Sequence, residues 1–306
     1  MECDDLVEDC IQTETQCNFH YDECHRLYEG GILYAAHQLM LKNIDGCVDL
    51  GSKQSELYDC IKREHTLIFG KIQLLRSAEK WKKSSVSDKG KGIDDTVQIR
   101  ASPDDATTFL VEAKLDAGAV QCIALASRLE FVDAWIKAIS SSTFVRKLSG
   151  HSHVVCVTVK NPILRMFGDN VLYVRVDTYN NLLFDQHHIT VVSPLSVEDA
   201  RKHNIAGEKY QACSRYFSFS ALTFLFSSET GQTLQRSNAN VKIYIEHMQI
   251  LRYTPAYLNS IMCVDFIGRM CRHWATTARQ LGDMLYEGER LADLVAFIDN
   301  SPLMTD

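Results

Sequence analysis

The chain has 306 residues, 46% hydrophobic and 23% charged, with a formal net charge of −7. Those proportions belong to a globular protein with a sizeable core and exclude a largely disordered chain. The acidic balance argues against a nucleic-acid partner, whose phosphates call for clustered Lys and Arg. No window offers 18 uninterrupted apolar residues, and the N-terminus carries Glu2, Asp4, Asp5, Glu8 and Asp9. The sequence therefore predicts neither a membrane span nor a secretory signal, and a cytoplasmic protein whose membrane contact is local and peripheral.

Residues 1 to about 50 read as helical, with a break at Gly30-Gly31 and an end between Asp45-Gly46 and Leu50-Gly51. Within them Cys3, Cys10, Cys17 and Cys24 recur every seven residues, a spacing that sets all four on one stripe of a helix. Cys17, His20, Cys24 and His25 include spacings that can reach one ion, but no C-x-x-C pair is present. The stripe is expected to pack against a second helix and to hold no metal. The other cysteines, Cys122, Cys156, Cys263 and Cys271 among them, lie mostly in apolar periodic runs and are expected to be reduced core thiols.

A second helix is predicted from about Gln54 to Trp81, with Leu57, Ile61, Leu67, Ile68, Ile72 and Leu75 at helical intervals. The polar stretch Lys82 to Gly92 has nothing to bury and reads as a loop. Beyond it the period becomes two. Val97 to Arg100 and Thr107 to Leu115 read as strands, Ala117 to Ser140 as helix bent near Ser127 to Glu130, and Thr143 to Leu148 and Val154 to Lys160 as strands again. Pro162 to Asp169 is an unusually apolar loop with turn chemistry at both ends. Val171 to Thr178 and Leu182 to Val192 suggest a hairpin about Asn180-Asn181. Arg215 to Ser227 and Val241 to Tyr253 suggest another. From Pro255 to about Glu287 a helix of roughly 30 residues, ~45 Å long, must cover something large. The concave face of a curved sheet is the partner expected, with a hollow left between them.

Enzyme chemistry has no convincing local signature. Gly90-Lys91-Gly92 is too short for a phosphate loop, and His187-His188, adjacent on a strand, point to opposite faces and cannot readily share an ion. No catalytic residue, cofactor or metal is predicted.

This layout resembles the START (StAR-related lipid transfer) family over about residues 55 to 290. The resemblance is carried by the helix ending Lys80-Trp81-Lys82, by Gly92-Ile93, and by Phe131-Val132-Asp133-Ala134-Trp135. The Pro162 to Asp169 loop, the strand Val171-Leu172-Tyr173-Val174-Arg175 behind it, and the long last helix complete it. It implies an α+β helix-grip fold, a curved antiparallel sheet wrapped around the C-terminal helix, enclosing a tunnel for one phospholipid, sterol or sphingolipid. The expected division is a helical extension over 1–53, a START-like domain over 54–290 and a tail over 291–306.

Ile163, Leu164, Arg165, Met166 and Phe167 are expected to form a lid and membrane contact. Arg175 matches a position where some sterol-binding members hold a buried arginine paired with an acid. Here Ser142 or Thr143 stands at the acid's place, and Asp177 is the substitute partner. Alternation sets Val171, Tyr173, Arg175 and Asp177 on one face and Leu172, Val174, Val176 and Thr178 on the other, leaving open whether the first set meets solvent or a lipid headgroup. The expected lining is Tyr173, Arg175, Asp177, His188, Tyr244, Met262, Phe266, Met270 and Trp274. The function so implied is binding of one lipid and its transfer or sensing between membranes. The alternatives are an interaction protein with a collapsed cavity, its partner held by residues 1–50, and a helix-grip enzyme.

Overall fold

The computed structural model describes residues 21–44, 52–76, 81–83, 97–102, 104–160, 170–181, 187–205, 217–227, 238–250 and 254–282. Residues 21–29 are helical (α1), and α2 spans Leu33–Ile44. The break at Gly30-Gly31 is a Schellman cap: Ile32 N donates to Leu27 O at 2.9 Å and Gly31 N to Tyr28 O at 3.0 Å, with Gly31 at φ 72°. That left-handed conformation is why glycine ends the helix here. α3, Ser52–Arg76, buries Leu57, Tyr58, Ile61, Ile68, Ile72 and Leu75, whereas Leu67, expected on the same stripe, is exposed.

The strands are β1 Lys82–Lys83, β2 Val97–Ala101, β3 Phe109–Gly118, β4 Ile139–Lys147, β5 Ser152–Val159, β6 Asn170–Asn181, β7 His187–Pro194, β8 Ala221–Ser227 and β9 Asn238–Glu246. They form one antiparallel sheet in the order β1-β2-β3-β9-β8-β7-β6-β5-β4. Register shifts at Leu115/Gly118, Ile139/Ser141 and Phe144/Arg146 are the irregularities that bend strands and increase twist. Between β3 and β4 lie α4 Ala119–Ser127, a 3-10 turn Leu129–Phe131 and α5 Val132–Trp135. α6 is Val197–Lys202, and the terminal helix α7 is Ala256–Gly282.

Both faces of the sheet are covered. On the inner face Val174, Val176, Phe224, Phe226, Val241, Ile243 and Ile245 share one core with α4, α5 and α7. On the outer face Leu110, Tyr179, Ile189, Val191 and Leu225 share another with Cys24, Ala36 and Met40 of the first two helices and Ile61 and Ile72 of α3. Cys24 is fully buried there and its thiol donates to Ala36 O at 3.3 Å, while Cys3, Cys10 and Cys17 lie outside the described residues.

Three expectations are corrected. The helix expected over Ala117 to Ser140 ends at Trp135, because Ile139 already pairs with Val159 and the serines that follow are poor helix formers. Its bend near Ser127 to Glu130 is present as the break before the 3-10 turn. The hairpin turn is not at Asn180-Asn181: β6 runs through both, which pair with His188 and His187, and Asn180 N donates to Gly31 O at 2.8 Å. The loop at Lys82 begins with a two-residue edge strand. α6 was legible but unread, since Ser196 accepts from Asp199 N at 2.9 Å, the N-cap and N3 pattern of a helix start.

Candidate functional site

Between α7, α5 and the inner face lies a cavity of about 470 Å³, within the size range of small-ligand sites. Leu172 and Val174 of β6, Val157 and Val159 of β5, Phe224 of β8 and Ile245 of β9 supply its sheet wall. Met262, Phe266 and Met270, four residues apart on α7, supply the opposite one. One helical face therefore serves as core and cavity wall together. A stacked indole pair stands beside it: Trp135 lines the cavity and lies 5.1 Å, centroid to centroid, from Trp274, against which Phe224 and Phe226 pack edge-on.

The polar groups are few and sorted. Trp274 Nε1 donates to Cys122 O at 3.2 Å. Trp135 is 1% exposed, and its buried Nε1 meets no acceptor among the described residues. The rim carries Lys137, Lys160, Asp265, Arg269 and His273. Lys160 Nζ donates to Lys137 O at 3.3 Å, and Arg269 is ion-paired with Asp265 one turn away. Partial burial and the charges of Lys137, Arg272 and Arg269 hold His273 below the ordinary histidine range, so it is neutral at pH 7. Burial pushes the Cys122, Cys263 and Cys271 thiols up, the last two to about 12, so none supplies a thiolate near neutrality. Among the described residues no group of three His, Cys, Asp or Glu side chains converges as metal ligands would.

The fold so built can be set beside known ones. No protein-family model matches the sequence, and no curated protein sequence does. Human StAR-related lipid transfer protein 5 superposes with a TM-score of 0.52 at 9% identity, over 72% of this chain and 97% of that one. The fold is that of the StAR-related lipid transfer structures. Human STARD10 aligns at a TM-score of 0.48, 10% identity and 73% and 82% coverage of this chain and its own. The STAR-related lipid transfer protein of Xanthomonas axonopodis, fragment 25–204, aligns at 0.47, 10% identity and 66% and 100% coverage. The helix-grip arrangement that the resemblance implied is the one present, one curved antiparallel sheet closed by the long terminal helix.

The expected lining residues divide among three places. Met262, Phe266 and Met270 line the cavity, and Trp274 backs it through Trp135. His188 is on the inner face but sealed beneath α4: Nδ1 lies 2.7 Å from Asn180 Oδ1, and Nε2 lies 3.2 Å from both Ser127 Oγ and Thr190 Oγ1. With the amide oxygen facing Nδ1, that nitrogen carries the proton and Nε2 accepts from a hydroxyl. Burial depresses its pKa to about 3, so the ring is a neutral tie between α4, β6 and β7 rather than a ligand contact.

Tyr173, Arg175, Asp177 and Tyr244 are on the outer face and do not meet the cavity. Leu172 and Val174 fill the inner positions of β6, so strand alternation turns Arg175 away from it. Arg175 Nε donates to Asp177 Oδ1 at 2.8 Å, and its Nη2 lies 3.9 Å from Glu64 of α3. Tyr179 OH donates to Glu64 at 3.2 Å, and His151 Nε2 lies 3.5 Å from the same carboxylate. Burial acts to raise the Glu64 pKa, but hydrogen bonds from His151 and Tyr28 and the charge of Arg175 outweigh it and hold it low. Tyr244 packs edge-on against Trp81 and beneath Lys71. The substitute ion pair with Asp177 exists, as a clamp for the helical layer. Ile163, Leu164, Arg165, Met166 and Phe167 lie outside the described residues.

Sequence reasoning missed Trp135, Lys137 and Lys160. The first stood in the motif that carried the resemblance, where a tryptophan reads as core. The lysines carry no local signal, because only the pairing of β4 with β5 brings them to one rim.

Proposed function

We propose that this chain binds one lipid-like molecule in the cavity between α7 and the inner face of the sheet, and carries or senses it between membranes without altering it chemically. The apolar cavity wall carries this reading: side chains as large as Phe224, Phe266 and Met270 border a hollow of about 470 Å³ instead of closing on one another. Apolar surface brought out of water contributes roughly 25 cal/mol per Å², so a hydrocarbon body in this hollow is held by burial alone. That human StAR-related lipid transfer protein 5 shares the fold supports the ligand class. The buried, protonated thiols and the sealed His188 support a non-catalytic role. Peripheral membrane contact is supported by Tyr257, Leu258 and Ile261, large exposed side chains on the first turns of α7 beside the rim at Met262. Among the described residues no helix is long and apolar enough to cross a membrane.

Native mass spectrometry of gently isolated protein tests the reading. A stoichiometric mass increment that organic extraction identifies as a sterol, phospholipid, sphingolipid or fatty-acid derivative is the expected result. Protein that is ligand-free from every host, and that takes up no fluorescent lipid from vesicles, would overturn it.

A further inference from the structure

The rim of the cavity has a charge opposite to that of the whole chain. The protein carries a formal net charge of −7, yet among the described lining residues Asp265 is the single acid and faces Lys137, Lys160, Arg269 and His273. Asp265 is already engaged by Arg269, which leaves the two lysines as the uncompensated charge. Strand pairing brings them together: Lys160 N donates to Ala138 O at 2.8 Å, and Lys160 Nζ reaches Lys137 O at 3.3 Å. Across the opening, burial first and then the charges of Lys137, Arg272 and Arg269 disfavour protonation of His273, so the two lysines are not joined there by a third cation.

A second observation lies at the same end. Trp135 precedes Lys137 by two residues and stacks on Trp274, the neighbour of His273. Its indole N–H is buried in the cavity wall with no acceptor among the described residues, while its stacking partner's N–H is satisfied by a backbone carbonyl. A buried donor left unmet is unfavourable, and an oxygen brought by a ligand would satisfy it. The remaining walls offer a ligand hydrocarbon contact alone.

Resting on the reading proposed above, we infer that the cavity's ligand is an acidic amphiphile. Its apolar body lies between α7 and β5–β6, and its carboxylate or phosphate sits at the rim among Lys137, Lys160, Arg269 and His273, one oxygen accepting from Trp135 Nε1. This places the polar end of the ligand at the mouth and leaves no headgroup to be matched deep inside, where the walls carry no charge. Lys137 and Lys160 are exposed, so their attraction is partly screened and falls with salt.

The test uses the full-length chain, freed of co-purified lipid and titrated at low salt with oleate, oleyl phosphate and methyl oleate, which share a hydrocarbon chain and differ in the head. At least one acidic probe is expected to bind tenfold or more tightly than methyl oleate, and which one does so tells carboxylate from phosphate. Lys137→Gln with Lys160→Gln is expected to reduce that preference below threefold, as is 0.5 M salt acting on the unmodified chain. Trp135→Phe, which keeps a ring stacked on Trp274 but lacks the N–H, is expected to weaken the acidic probe at least threefold. Equal affinity for all three probes in the unmodified chain overturns the acidic head and leaves the cavity reading standing. A preference undiminished in the lysine variant overturns the rim assignment. Failure to bind any probe, in protein that also carries no lipid on isolation, removes both.

Discussion

Arg175 is the residue at which resemblance and geometry part. Its side chain is 28% exposed and contacts Asp177, itself 11% exposed, beneath α3. Arg175→Leu strands that carboxylate and is expected to cost about 1–3 kcal/mol in urea unfolding, short of the ~3–5 kcal/mol of a fully buried pair, while ligand affinity stays within twofold. Loss of binding without loss of stability would return Arg175 to the ligand. His188 makes a pH-dependent contribution of definite sign. Its folded pKa, about 3, lies below an unfolded value near 6.5, so the unfolded chain takes up the proton first. The stability it contributes is complete above pH 6.5 and lost as pH falls toward 3, at no more than about 1.4 kcal/mol per pH unit. His188→Gln removes this titration, so the fall in unfolding free energy between pH 7 and pH 5 should be smaller in the variant than in the unmodified chain. Equal falls would mean that the ring is not buried neutral.

Among the elements, the turn between α1 and α2 joins the helical layer to the sheet. A Cβ on Gly31 would stand 2.6 Å from Thr178 O, and the residue is already at φ 72°. Gly31→Ala therefore combines backbone strain with a clash against β6 and is expected to cost about 2 kcal/mol or more. Hydrogen exchange at Asn180 N–H, which donates to Gly31 O, should accelerate with it. Unchanged exchange would show that the two elements are not coupled. The four-residue step of Leu258, Met262, Phe266, Met270 and Trp274 along α7 was visible in the sequence, and the last four face inward while Leu258 is exposed. The division of that stripe into wall and core was not visible. It is set by where Trp135 stacks, and that is a tertiary fact.

For the whole molecule, element order was the legible part: helices, strands, a helical pair, strands and a long amphipathic helix imply one sheet gripping that helix. The parity of β6 was legible too, since Leu172, Val174 and Val176 form the apolar set and Tyr173, Arg175 and Asp177 the polar one. The direction of each face was not. An antiparallel sheet usually leaves its polar face to water, whereas here Glu64, Tyr28 and His151 cover that face and turn its charges into a clamp. Strand boundaries at Ile139 and Asn181 were misplaced because pairing across the sheet outweighed local turn and helix signals. The central claim is that ligand lies between α7 and the inner face, and adjacent residues of one strand test it most directly. Val174 lines the cavity, whereas Tyr173 is on the opposite face of the strand, beside Leu195 and beside Ala200 of α6, so Val174→Trp fills the hollow while Tyr173→Ala leaves it untouched. Lipid bound per folded protein, measured by native mass spectrometry, should fall at least tenfold in Val174→Trp and stay at the unmodified level in Tyr173→Ala. A full load in folded Val174→Trp, or its loss in folded Tyr173→Ala, would contradict the account.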